Sequence, residues 1–164
     1  MKMIVSWTII ILLMYTAQTS LLTFLDYKGV SVNLMLLLTV SVAFIHGWKY
    51  GVAMGFVTGF LQDLTTGSFF GCTTFSYMTI GILFGKFSSH VFKDQFFFPV
   101  LSAPLAAVIH FFIMWILIFL IGYTVDIVYA VQNILIPFIV FQLVFAWLVH
   151  KVVFDFDKFA KRHG

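Results

Sequence analysis

Glutamate is absent from this 164-residue chain. Charged residues make up 9% of it, against about 25% in a soluble domain. So few polar groups cannot cover a water-facing surface, and lipid must be the solvent for most of the chain. The length fits one compact unit rather than two soluble domains. Without glutamate the HExxH motif of zinc hydrolases is excluded. Cysteine occurs once, as Cys72, so no disulfide forms within the chain; a small apolar residue there needs no special role. Proline occurs three times. Pro99 and Pro104 lie near the start of the fifth apolar stretch and Pro137 lies within the sixth, where each bends a helix axis.

What remains is apolar, at 62% of residues. The apolar stretches number six, over roughly 3–24, 30–45, 50–64, 69–87, 96–121 and 127–149. A spanning helix takes about 20 residues. The first, fifth and sixth stretches meet this easily. The second and third are short, which suits tilted helices packed inside a bundle or spans of a thin membrane. The expected fold is an all-α integral membrane protein, a six-transmembrane-helix bundle.

Charge gives the orientation. With the N-terminus cytoplasmic and loops alternating, Lys2, Lys49, Lys86, Lys93, Lys151, Lys158, Lys161 and Arg162 lie inside and only Lys28 lies outside. That bias obeys the positive-inside rule and places both termini in the cytoplasm. The net charge of +3 is then topological, with no nucleic-acid partner implied. The opening "MKMIVSWTIIILLMYTAQTS" starts like a signal peptide but lacks a clear small-x-small cleavage site, and reads as a retained first span. The domain expectation is a single unit over 1–164 with a short basic cytoplasmic tail over about 151–164. That tail serves as an anchor, or as an amphipathic end on anionic lipid.

Within "GVAMGFVTGFLQDLTTGSFFG", glycine falls at 51, 55, 59, 67 and 71, and position 63 of the same interval is aspartate. Residues four apart stack on nearly one helix face. Gly51, Gly55 and Gly59 therefore draw a shallow groove, and Gly81 and Gly85 repeat the spacing on the next helix. Membrane helices associate through such small-residue faces. A tight hairpin is expected. Asp63 lies one further step along the groove, near the outer end of its helix. It either ends and orients the hairpin, with Gln62, Thr65 and Thr66 as hydrogen-bond partners, or meets a partner or ligand. If it only holds the hairpin, Asp63→Asn is expected to be nearly silent. Gly55→Ala is expected to be far milder than Gly55→Leu.

Catalytic constellations are thin. Only Asp63 lies near a membrane interior, where an aspartyl protease needs two facing aspartates. Ser68 in "GSFFG" does not match a GxSx nucleophile turn. His110 lies within the fifth stretch, and with no nucleophile to pair to it is expected in a helix-to-helix hydrogen bond. Gln132, Asn133 and Gln142 flank Pro137; they bind a ligand or partner helix, or re-satisfy backbone near the kink. No dense set of polar side chains is visible at the outer ends apart from the Asp63 cluster. No catalytic residue, metal ligand or cofactor is assigned.

The ladder Gly51, Gly55, Gly59, then Asp63, then Gly67 and Gly71, then Gly81 and Gly85, resembles the MreD family, rod shape-determining membrane proteins of bacteria. The preceding "VNLMLLLTVSVAFIHGWKYG" is similar to that family's second span. The likeness covers the chain loosely and 33–85 most specifically, with phenylalanine in place of leucine at many sites, notably Phe60. It implies a non-enzymatic scaffold of the cell-elongation, peptidoglycan-synthesis complex in the cytoplasmic membrane. It implies partners too: membrane lipid, an MreC-like bitopic protein, a RodA-type glycan polymerase with its class B penicillin-binding transpeptidase, and the MreB filament. The family fold is thought similar to the substrate-binding subunits of energy-coupling-factor transporters, and the alternative implied is such a subunit for vitamin uptake.

Overall fold

The computed structural model describes residues 2–21, 30, 32–66, 70–88, 97–124 and 126–163. Among them every regular element is helical. Helix α1 (Lys2–Thr16) runs on into a π-helical turn (Ala17–Leu21). Helices α2 (Leu34–His46), α3 (Trp48–Thr66), α4 (Cys72–Phe87) and α5 (Phe97–Leu120) follow. The last rod is continuous: α6 (Ile127–Ala130), a π-helical segment (Val131–Leu135) and α7 (Ile136–His163). Pro137 has no N–H to offer the carbonyl of Asn133, and the π segment is the turn that accommodates this gap.

The short second stretch is the centre of the bundle. All residues of α2 from Leu34 to Ala43 are buried, as expected of a helix that is apolar on every side. Its 13 residues span only about 20 Å. It touches α1, α3, α4, α5 and α7, so its neighbours rather than lipid solvate it. Asn33 caps its start, the side chain accepting from Leu36 N at 3.1 Å. Gly47 ends it with φ +86°, a left-handed conformation that lets α3 begin at once. Two buried threonines tie the neighbours together: the Thr39 and Thr58 hydroxyls lie 2.8 Å apart between α2 and α3.

Two helices among the described residues, Val100–Leu120 and Ile127–Lys158, are by themselves long and apolar enough to cross a membrane. The others fall short on length or carry polar residues that face neighbouring helices. The end of the bundle that holds His46 also carries Lys49, Lys86, Lys151 and Lys158. There Lys49 Nζ lies 5.8 Å from the Trp48 ring and Lys151 Nζ lies 5.1 Å from the Trp147 ring. Such tryptophan–lysine pairs belong at a membrane–water boundary.

The basic end of the chain is helical through His163. Helix α7 continues through it, with Val149 and Val153 fully buried. Asp157 Oδ1 lies 3.0 Å from His46 Nε2. Trp7 of α1 packs edge-on against both His46 and Phe156. Three helices are clasped together at this end.

Candidate functional site

The glycine interval is the seam between α3 and α4. A Cβ on Gly51 would lie 2.7 Å from Gly81 O, one on Gly55 2.5 Å from Tyr77 O, and one on Gly59 2.6 Å from Thr74 Cα. From the other side, a Cβ on Gly81 would strike the Gly51 backbone, and one on Gly85 the Trp48 backbone. Antiparallel main chains therefore touch at every turn from Trp48–Gly85 to Gly59–Thr74.

Asp63 stands where the seam reaches the N-terminus of α4. A helix start leaves N–H groups without partners, and within a membrane these must be satisfied by protein. Gly71, in the N-cap position with φ +93°, has no side chain to do so. Asp63 supplies the cap from α3. Its Oδ2 accepts from Gly71 N at 3.0 Å, Thr74 N at 2.9 Å and Thr74 Oγ1 at 2.6 Å, and its Oδ1 accepts from Thr73 N at 3.1 Å. The positive end of the α4 dipole favours the carboxylate. The side chain is buried, 2% exposed.

These partners differ from the expected ones. Thr65 turns back to the carbonyls of Leu61 and Gln62 on its own helix, and Gln62 accepts from Gln18 Nε2 at 2.9 Å. The reason is direction: Asp63 faces the α4 terminus, whereas its chain neighbours point elsewhere around α3. Gly67 lies outside the described residues.

Beside this cap, polar side chains from several helices converge. Gln18, in the first π turn, also accepts from Met35 N at 3.2 Å. Asn33 donates to the Tyr77 hydroxyl. Gln142 of α7 donates to Asn33 O at 3.2 Å, while its own Oε1 is buried without a partner among the described residues. His110 Nδ1 and Ser76 Oγ are 2.7 Å apart, and the His110 ring packs edge-on against Tyr77. The expected helix-to-helix bond of His110 thus joins α5 to α4. Its partner is a serine that the local sequence did not mark as a nucleophile. Asn133 donates to Tyr129 O within the last rod.

The cluster borders a cavity of about 270 Å³. Gln18, Asn33, Gln62 and His110 are its polar wall, and Phe111, Met114, Ile134 and Phe138 its apolar wall. Among the described residues that line it there is no lysine, arginine or carboxylate. Among the described residues no three His, Cys, Asp or Glu side chains converge as a metal site. Sequence reasoning missed Gln18, Asn33, Ser76 and Tyr77. None stands in a recognisable motif, and only the packing shows that they share one end of the bundle.

A bundle with an apolar exterior, a buried carboxylate used as a cap and polar groups turned inward is a helical membrane protein. A family model described as rod shape-determining protein MreD matches residues 1–159. The chain belongs to the MreD family and is a rod shape-determining membrane protein. No curated protein and no solved structure matches the chain.

Proposed function

We propose that the chain is a non-enzymatic scaffold subunit of the bacterial cell-elongation complex. It forms a six-span domain with both termini and the end of α7 on the cytoplasmic side. It binds an MreC-like bitopic protein within the bilayer. The RodA-type polymerase with its transpeptidase and the MreB filament are further partners. The observation that carries this reading is the family match over residues 1–159. The use of Asp63 as an internal cap supports it, because the buried carboxylate serves the fold rather than a reaction. Gathering of Lys49, Lys86, Lys151 and Lys158 at one end supports the orientation.

Two measurements test it. A reporter fused after Gly164 is expected to be active only in the cytoplasm, and a cysteine placed at Lys28 to react with an external label in intact cells. A periplasmic C-terminus would end the six-span reading. Co-expression with an MreC-like protein and mild solubilisation is expected to yield a stable complex; recovery of the two proteins separately would overturn the scaffold role. A second reading, a substrate-binding subunit of a vitamin uptake transporter, has the cavity in its favour. Co-purification with transporter ATPases rather than with the bitopic protein would select it.

A further inference from the structure

We propose that the groove between α1 and α3, floored by α2, holds an acyl chain of an anionic phospholipid, with Lys49 at its mouth to receive the phosphate. The inference rests on the chain spanning a membrane and holds whichever of the two roles above the protein performs.

The groove follows from how α1 is seated. This helix packs on α2. Its π-helical continuation reaches α3 where Gln18 donates to Gln62. Toward the end that holds His46, α1 and α3 instead line a cavity of about 350 Å³. Ile11, Val42 and Met54 are its buried floor, and Thr8, Ala53 and Val57 its exposed rims. The rims are short side chains, so the cavity lies open to the bilayer. An apolar cavity of this kind stays dry. In a membrane the apolar material that fills it is a lipid chain. From Tyr50 to Val57 the groove runs about 10 Å along α3, a length of chain rather than a whole lipid.

The mouth decides which lipid. Lys49, Ala53 and Val57 stand four residues apart in one row on α3, so the exposed Lys49 continues the rim one turn past the groove. Lys49 also pairs with the Trp48 ring at the membrane–water boundary. His46 and Tyr50, with ring centroids 5.4 Å apart, frame the opening, and Tyr50 adds a hydroxyl. The sign of the surroundings does not hang on one side chain. Of the residues that chain order brings to this end, eight are lysine or arginine and three are aspartate. One of the three, Asp157, is engaged with His46 at 3.0 Å. Basic pockets between helices at such a face attract acidic head groups. A zwitterionic head carries its own cation and would set it against Lys49. An apolar slot followed by a cationic mouth along one helix face therefore matches an anionic phospholipid.

Native mass spectrometry of the full chain, released from nanodiscs of equal phosphatidylglycerol and phosphatidylcholine, reads the retained lipid directly. One phospholipid per chain is expected to survive activation that strips the rest, with phosphatidylglycerol favoured roughly fivefold. Lys49→Gln is expected to keep a lipid and to bring the two head groups near parity. Ala53→Trp and Thr8→Trp fill the groove from opposite rims, and both sites are exposed. Both variants are expected to remain helical by circular dichroism and to lose the retained lipid. If only one folds, the loss is read from that one. Val144→Trp, on the exposed face of α7, is the control and is expected to retain it. No retained phospholipid in the wild-type chain, equal retention of both lipids, a preference unchanged in Lys49→Gln, or retention unchanged in a folded groove variant would each overturn the site. Loss of an MreC-like partner with lipid still retained in the groove variants would make the groove a seat for a helix, and would overturn it as well.

Discussion

Gly55→Ala is expected to lower the stability of the purified protein by about 1–3 kcal/mol, and Gly55→Leu by more, with little Gly55→Leu protein accumulating in membranes. The alanine methyl has nowhere to go. Its position lies 2.5 Å from Tyr77 O, 2.7 Å from Tyr77 C and 3.0 Å from Met78 N. These are backbone atoms of α4, which move only if the helices part. The general tolerance of membrane seams for alanine, expected from the sequence, does not extend to a seam this close. Unfolding in mixed micelles with rising SDS checks the effect. Ala53→Leu, on the exposed side of α3, is the control and is expected to change little. A wild-type midpoint for Gly55→Ala would mean that the two main chains are not in contact.

Asp63→Asn is expected to destabilise the protein strongly, against the near-silence that its hairpin role alone suggested. An amide has one acceptor oxygen in place of two, and its –NH₂ is a donor. Both carboxylate oxygens of Asp63 accept, and all four partners are donors. Whichever way the asparagine is turned, an –NH₂ faces Thr73 N–H or the Gly71 and Thr74 donors. A buried donor left without an acceptor costs about 1–3 kcal/mol. The favourable charge at the start of α4 is lost as well. The expected result is reduced membrane accumulation together with a lower SDS midpoint, and failure to restore rod shape follows from the missing protein. Normal accumulation with lost complementation would instead make Asp63 a partner contact.

The sequence made the helical, lipid-solvated character of the chain plain, because composition and long apolar runs report solvent directly. The four-residue interval also showed which helix face would pack. It did not show that Gly55 meets Tyr77 or that Asp63 meets Gly71 and Thr74, since that depends on where α4 starts relative to α3. A clue was available: "GCTT" opens a helix with no side-chain cap at Gly71, so an acceptor had to come from elsewhere. The role of α2 was half legible. Its shortness was plain, but burial on all sides follows from five neighbours that no local window contains. Least legible was the polar cavity. Gln18, Asn33, Ser76 and His110 lie far apart in the chain, and each looks incidental until the helices converge.

A glycine repeat with a four-residue step has a hidden ambiguity. Sliding α4 past α3 by one turn would set the Gly51, Gly55 and Gly59 notches against much the same surface, so the ladder alone is a vernier with several coincidences. Asp63 removes the degeneracy. Its carboxylate matches one place only, the free N–H groups at Gly71, Thr73 and Thr74. The glycines set the spacing between the helices, and the aspartate sets their offset. One carboxylate at the end of the glycine seam thus converts a repeating contact into a single alignment, and places Ser76 and Tyr77 at the height where His110 and Asn33 meet them.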